Sequence, residues 1–113
     1  MLLRYIVSNF KSIGHPVEFS MFPTEESTDE RFLKTITKAG EWKVLRRGGF
    51  FGPNASGKSS FIESIDFARD YIVDGQKSGK GTGVNQFRGD FEDLEGISSF
   101  QFMFYLEGEV YEY

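Results

Sequence analysis

The sequence contains no cysteine and a single histidine, His15, among its 113 residues. Without cysteine there is no disulfide framework, no thiolate metal site and no cysteine nucleophile. The absence of cysteine also fits a reducing compartment. A lone histidine beside Pro16 lacks the partner ligands that a metal site needs. Its place in a turn favours a solvent-facing or packing role over catalysis.

Long apolar runs and an excess of positive charge are also absent. No run approaches the roughly 20 apolar residues of a membrane span, and residues 1–12 are too short and too interrupted for a signal peptide. We therefore expect a soluble, cytoplasmic chain with no membrane partner. The net charge of −4 and the pI of about 5.0 argue against a free-standing nucleic-acid binder, which usually has a basic face. They leave open DNA contacts made elsewhere in a longer protein.

What the chain does contain is enough apolar material for one compact domain, with 39% hydrophobic residues and 13 phenylalanines. Residues 2–8 and 17–22 carry apolar side chains at every second position, which predicts an antiparallel pair of strands. Residues 31–38 are predicted as a short helix, and residues 42–51 as strands that lead into the glycine motif described below. The predicted fold class is therefore α/β, of the α+β kind.

The second half of the chain carries the clearest helix and hairpin patterns. Residues 58–73 form a helix in this interpretation, because one apolar stripe recurs at helical spacing. We expect a flexible, glycine-rich loop over residues 75–90. Residues 97–113 predict a β-hairpin, with Glu107 and Gly108 in its turn. The stripe of Phe100, Phe102 and Phe104 is interpreted as core, since acidic residues rather than basic ones accompany it.

One motif carries a specific chemistry: Gly52, four residues, then Gly57, Lys58 and Ser59. This is the G-x-x-x-x-G-K-[ST] spacing of a phosphate-binding loop. It arises by chance in well under about 1% of chains of this length, on average residue usage. Glycines let the main chain curl closely around phosphates, and the amides and dipole of a following helix attract anions.

Each residue of the motif has a predicted role. The main-chain amides of residues 54–59, which include Asn54, Ala55 and Ser56, are predicted to surround the phosphates of a nucleoside triphosphate. Lys58 is assigned as the catalytic residue that reaches the β- and γ-phosphates. The hydroxyl of Ser59 is predicted to bind Mg²⁺, and Ser60 to contact the α-phosphate. The predicted cofactors are ATP and Mg²⁺.

Two stretches resemble a known family. The first is SNFKS at residues 8–12, and the second is FFGPNASGKSSFIESIDFAR at residues 50–69. In this order they resemble the N-terminal part of ABC-type P-loop ATPase heads of the SMC and RecF-like group. They are most similar to prokaryotic AAA ATPases of the OLD and abortive-infection type. The resemblance implies that residues 1–113 are a partial nucleotide-binding domain, the first lobe of such a head.

The resemblance also implies a composite active site. Lys11 and Ser12 are expected near the nucleotide, and two heads are expected to form a homodimer around ATP. No LSGG-type signature and no apolar run ending in Asp-Glu is found in the 113 residues. Hydrolysis is therefore expected to need a further lobe and a second protomer. ATPases of this group act in DNA processing or phage defence, often with a nuclease domain or partner.

Two other functions remain open at this point. A small P-loop kinase or GTPase is disfavoured, because about fifty residues of mainly β sequence precede the motif and no guanine-specifying NKxD is present. A non-catalytic module that uses nucleotide only to control assembly is compatible with a complete loop and no hydrolytic partner residues. An ABC transporter subunit is a further alternative within the leading class.

Overall fold

The computed structural model describes residues 1–24, 29–37, 41–53, 56–75, 81–89 and 96–113. The chain divides into two compact units. The first consists of Met1–Ile6, Glu18–Phe50 and Gln101–Tyr113, and the second of Val7–Val17 and Phe51–Phe100. Both units are therefore built from segments far apart in the sequence.

The described elements are six strands, one α-helix and one turn of 3-10 helix. In chain order they are β1 (Leu2–Ser8), β2 (Val17–Ser20), the 3-10 turn (Glu30–Phe32), β3 (Leu33–Thr37), β4 (Glu41–Leu45), α1 (Lys58–Asp74), β5 (Ser99–Leu106) and β6 (Glu109–Glu112). Four strands form one sheet in the order β2-β1-β5-β6, and β3 and β4 form a second sheet. The predicted mixed α+β class is confirmed.

The core of the first unit lies where β1 meets the β3–β4 pair. Leu3, Ile36 and Val44 are buried together there. Strands β3 and β4 are antiparallel, and alternation along each strand turns Ile36 and Val44 to one face. The side chains packed against this cluster are half-buried and mostly aromatic: Phe22, Trp42, Met103, Tyr105 and Val110.

The predicted hairpin is formed by β5 and β6, which pair from Met103↔Glu112 to Leu106↔Glu109. Glu107 and Gly108 form the two-residue turn with φ values of 51° and 91°. Two successive positive φ angles match the twist of paired strands, and glycine tolerates them best. The phenylalanine stripe is half-buried, and the ring of Phe102 lies 4.6 Å from that of Tyr5.

Three phenylalanine rings form the centre of the second unit. Phe10 lies 5.6 Å from Phe67 and 5.7 Å from Phe100, and Phe67 lies 5.5 Å from Phe100, ring centre to ring centre. These rings belong to the turn after β1, to α1 and to β5. Phe10 is only 2% exposed. We call this group the phenylalanine cluster.

Helix α1 begins and ends close to the predicted positions. It buries Phe61, Ser64 and Ala68, which lie at spacings of three and four residues on one face. The Ser64 hydroxyl donates to the Phe61 carbonyl at 2.6 Å. The helix is followed by its C-cap residue Gly75, whose N–H donates to the Tyr71 carbonyl. Its φ of 68° is a positive value that glycine adopts easily because it has no Cβ.

Two predicted elements differ from the structure. The predicted helix over residues 31–38 is a 3-10 turn followed by β3, because β-branched side chains favour pairing with β4. Asp29 caps that turn, and the Arg31 guanidinium beside it lowers the pKa of the Asp29 carboxyl. The strand predicted directly before the glycine motif ends at Leu45, and residues 46–53 form no strand. Gly48 lies so close to Phe19 that an added Cβ would stand 2.7 Å from the ring.

The glycine-rich segment after α1 is only partly described. Residues 76–80 and 90 of the predicted flexible loop lie outside the described residues, and residues 81–89 form neither helix nor strand. Flexibility over residues 75–90 stays a prediction. Within the described part of the chain, no helix is both long enough and apolar enough to span a membrane.

The phenylalanine cluster generates the first prediction. Replacing Phe10 by Ala should lower the free energy of unfolding by about 3–5 kcal/mol, because it removes a buried ring and leaves a cavity. The measurement is urea denaturation followed by circular dichroism. The matched control is Phe51→Ala, since Phe51 is 97% exposed and its loss should cost less than about 0.5 kcal/mol. Equal effects of the two substitutions would contradict this packing.

Candidate functional site

The glycine motif forms a loop that leads directly into α1, and Lys58 is the first residue of the helix. Its ammonium group donates to the carbonyl oxygens of Gly52 and Pro53, both at 2.5 Å, and to the Ser56 hydroxyl at 3.2 Å. A lysine ammonium has three N–H donors, so all three are engaged by the loop. Lys58 therefore holds the two ends of its own loop together.

Gly57 begins the helix without a capping side chain of its own. It is the N-cap residue with φ of 89°, and it makes no side-chain capping bond. The first amide groups of a helix have no partner within the helix. No acidic side chain lies in the first turn, so no negative charge of the first turn competes for these amides. The N-terminus of α1 is thus electrostatically prepared for an anion.

Close approach explains the first glycine of the motif. A Cβ added to Gly52 would stand 2.7 Å from the Ser56 hydroxyl oxygen and 3.9 Å from the Lys58 nitrogen. The first distance is far below normal contact, so a side chain at residue 52 would force Ser56 away. The glycine therefore permits the compact arrangement around the Lys58 ammonium.

The two serines after Lys58 are placed differently. Ser59 is exposed, and its hydroxyl makes no hydrogen bond to any described part of the chain. An exposed hydroxyl next to the phosphate-binding lysine is a suitable oxygen ligand for Mg²⁺, so this position fits the predicted metal. The Ser60 hydroxyl instead shares a hydrogen bond of 2.6 Å with the Ser12 hydroxyl.

That bond joins α1 to the tight turn that follows β1. Within the turn, the Asn9 N–H donates to the Gly14 carbonyl at 3.1 Å, and Phe10 and Ile13 exchange two main-chain bonds of 2.9 and 2.8 Å. Asn9 and Lys11 each have a φ of 51°, a left-handed conformation that asparagine adopts more readily than most residues. The turn places Lys11 and Ser12 at the start of α1.

Asn9 is a structural residue that the sequence analysis did not assign. It is 2% exposed, and its side-chain oxygen accepts a bond from the Phe87 N–H at 3.0 Å. Its carbonyl oxygen accepts a bond from the Ser98 hydroxyl at 2.6 Å. Asn9 therefore ties the turn to two later segments of the chain. The sequence signal that could have revealed this role is the position of asparagine, a residue that tolerates positive φ, within SNFKS.

The side chain of Lys11 contacts α1 and is partly exposed to solvent. Its ammonium lies 2.7 Å from a carboxylate oxygen of Glu63 and 5.7 Å from the centre of the Phe10 ring. Its main-chain N–H donates to the Asn85 carbonyl at 2.7 Å. Glu63 belongs to α1. Its side chain is half exposed, yet it forms an ion pair with a predicted site residue.

The structure brings most of the predicted site residues to one end of α1. Asn54 and Ala55 of the predicted site lie outside the described residues. The nucleotide and metal roles of the site residues remain predictions. The residues that lie together are Lys11, Ser12, Gly52, Ser56, Gly57, Lys58, Ser59 and Ser60.

Comparison with protein families agrees with this geometry. A family model described as an AAA domain, a candidate AbiEii toxin of a type IV TA system, matches residues 49–113, more than half of the chain. This chain belongs to that AAA domain family. The matched region includes the glycine motif, α1 and the β5–β6 hairpin, and the family supports a nucleotide-binding function of the ATPase type. No curated protein and no solved structure matches the chain.

The bond between Ser12 and Ser60 generates the second prediction. The double substitution Ser12→Cys and Ser60→Cys should form a disulfide on mild oxidation, because the two hydroxyl oxygens are already 2.6 Å apart and a disulfide needs close, facing Cβ atoms. Mass spectrometry of the non-reduced protein measures it. The chain has no native cysteine, so each single variant is a clean control. Failure of the pair to cross-link would place the turn away from α1.

The conformation of Gly57 generates the third prediction. Gly57→Ala should lower the free energy of unfolding by about 1–2 kcal/mol, because a Cβ is unfavourable in the left-handed region. Thermal denaturation measures the loss. Gly81→Ala is the control, since Gly81 lacks a positive φ and an added Cβ meets nothing within 4 Å. If both variants were equally stable, the N-cap of α1 would not be left-handed in solution.

Proposed function

We propose that this chain binds ATP with Mg²⁺ and forms the nucleotide-binding part of an ABC-like or SMC-like ATPase. The observation that carries the proposal is the Lys58 ammonium, which lies at the uncapped N-terminus of α1 and is surrounded by the loop oxygens of Gly52, Pro53 and Ser56. Fixed positive charge and free helix amides together are the requirements of a triphosphate site.

In this proposal, nucleotide binding replaces hydrogen-bond acceptors of the Lys58 ammonium. All three of its donors bond to neutral loop oxygens in the structure. A phosphate oxygen carries negative charge, and charge-assisted hydrogen bonds are stronger than bonds to neutral acceptors. A β- or γ-phosphate would therefore displace at least one loop oxygen. Lys58 then stabilises the charge that develops on the transferred phosphoryl group.

Ser59 is proposed to hold the metal. Its exposed hydroxyl follows Lys58 on α1. When bound, Mg²⁺ neutralises the phosphate oxygens and orients them for displacement. Ser59 contributes one ligand only, and Mg²⁺ sites of this kind are completed by waters and substrate phosphates. Ser60 and Ser12 position the turn and the helix relative to each other through their shared bond.

The catalytic partners are proposed to come from outside these 113 residues. Among the described residues, no group of three or more acidic or histidine side chains is arranged to hold a metal ion. We propose that a further lobe and a second protomer supply the groups that activate water, and that ATP drives the pairing of two such heads. By themselves, the 113 residues should bind nucleotide weakly and hydrolyse little of it.

The family and one basic surface support a proposal about the biological setting. The family description names the AbiEii toxin and a type IV TA system, so we propose a role in phage defence or DNA processing, with a nuclease as a partner or further domain. DNA contact is supported by Lys34, Arg46 and Arg47. Together with apolar side chains, these three cations line a groove of about 650 Å³ in the first unit, and no carboxylate belongs to its described lining residues.

The fourth prediction tests nucleotide binding itself. Lys58→Met should weaken ATP binding about 10- to 100-fold, because a charge-assisted bond contributes about 1.5–3 kcal/mol. Isothermal titration calorimetry with Mg²⁺ and ATP measures it. Lys43→Met is the matched control, since it removes the same charge from an exposed lysine paired with Glu30.

Unchanged ATP affinity in Lys58→Met, with a native circular dichroism spectrum, would disprove the proposed site. Binding that is lost in Lys58→Met but is never followed by turnover, even in the complete protein, would favour the non-catalytic nucleotide-binding module instead.

A further inference from the structure

Glu63 is the one acidic side chain of α1 that reaches across to the turn after β1 in the described part of the chain. Its carboxylate lies 2.7 Å from the Lys11 ammonium. The other exposed carboxylates in the middle of the helix, Asp66 and Asp70, pair with Arg69 of the same helix, at 3.2 and 2.8 Å. Glu63 therefore neutralises a cation of the candidate site, whereas its neighbours neutralise a cation of their own helix.

The main chain of Lys11 is held firmly beside this pair. Its N–H donates to the Asn85 carbonyl at 2.7 Å, and the next residue, Ser12, bonds to Ser60 at 2.6 Å. Only the flexible four-carbon side chain of Lys11 remains free to change partners. A switch of partner by the ammonium therefore needs no movement of the turn.

The pair lies between one and two helical turns from the proposed phosphate position. Glu63 follows Lys58, the first residue of α1, by five residues, which corresponds to about 7.5 Å along the helix axis. A carboxylate at this distance from an N-terminal anion site acts in two ways. It repels the phosphates directly, and it occupies the ammonium that would otherwise attract them.

We propose that Glu63 is a counter-ion that a nucleotide must displace from Lys11, and that it thereby lowers the nucleotide affinity of the site. The inference rests on the proposed function, because it assumes that the anion is a nucleoside triphosphate. In the free protein, Glu63 holds Lys11. In the bound protein, Lys11 turns from the carboxylate to a phosphate oxygen, and Glu63 returns to solvent.

A purely stabilising role does not account for the pair. The Lys11 side chain is 36% exposed and the Glu63 side chain 52% exposed. Exposed ion pairs of this kind contribute little to folding, because water screens them and both side chains lose freedom. The same weakness makes the pair easy to exchange for a more highly charged ligand, which is the property that a displaceable counter-ion needs.

The test compares Glu63→Gln with Asp66→Asn in calorimetric titrations with Mg²⁺ and ATP. Glu63→Gln should tighten ATP binding about three- to fivefold, since the competing ion pair is lost. Asp66→Asn removes the same charge one turn further on and should change the affinity less than twofold. Thermal denaturation of both variants should match that of the unmodified protein, because neither exposed pair supports the fold.

A double-mutant cycle decides whether Glu63 acts through Lys11. In a Lys11→Met background, the Glu63→Gln substitution should tighten ATP binding less than about twofold, because only the direct repulsion is then relieved. An unchanged or weaker affinity in Glu63→Gln alone overturns the inference, as does the same gain with and without Lys11. Absence of ATP binding in all variants and in the unmodified protein overturns the proposed function, and this inference with it. ATP binding that depends on Lys58 but not on Glu63 overturns this inference alone.

Discussion

The packing of Phe10 against Phe67 and Phe100 is the interaction on which the candidate site depends. Phe10 is almost fully buried, and its ring lies within 6 Å of both partners. Because Phe10 directly precedes Lys11 and Ser12, its burial fixes the place of the turn against α1. The polar contacts of the turn are too exposed to do this alone, since exposed hydrogen bonds and ion pairs contribute little net free energy. The apolar packing of the phenylalanine cluster therefore positions the polar residues Lys11 and Ser12.

A second constraint acts at the loop, where the Lys58 ammonium is enclosed by carbonyl and hydroxyl oxygens of the same loop. These bonds satisfy a charge that would otherwise lie among unpaired carbonyl groups. They also mean that the loop is already curled before any ligand arrives, which reduces the conformational entropy lost on binding. The glycine at residue 52 makes the curled form sterically allowed. The preformed loop favours nucleotide binding, whereas the loop oxygens that already occupy the Lys58 donors oppose it. The balance of these two effects decides how much Lys58 contributes to nucleotide affinity.

The sequence predicted the parts of this arrangement that depend on local patterns. The glycine motif, the boundaries of α1 and the turn at Glu107 and Gly108 follow from spacing, helical periodicity and tolerance of positive φ. The contacts of Glu63 with Lys11 and of Asn9 with Phe87 join residues 52 and 78 positions apart, and no local pattern encodes such pairs. The prediction of a strand directly before the motif was wrong for a similar reason. Apolar residues at 50 and 51 suited a strand, but no neighbouring strand pairs with them in the described structure.

The two lysines of the site differ in what a phosphate must replace. At Lys58, a phosphate oxygen replaces a neutral loop oxygen. This exchange is favourable, because the new acceptor carries a negative charge and the old one does not. Lys11 gives up the carboxylate of Glu63, so one anion replaces another and the exchange is nearly balanced. Affinity should therefore come mainly from Lys58, and adjustment of affinity from Lys11. An acidic side chain between one and two turns into the helix is a simple means of lowering nucleotide affinity without altering the phosphate-binding loop.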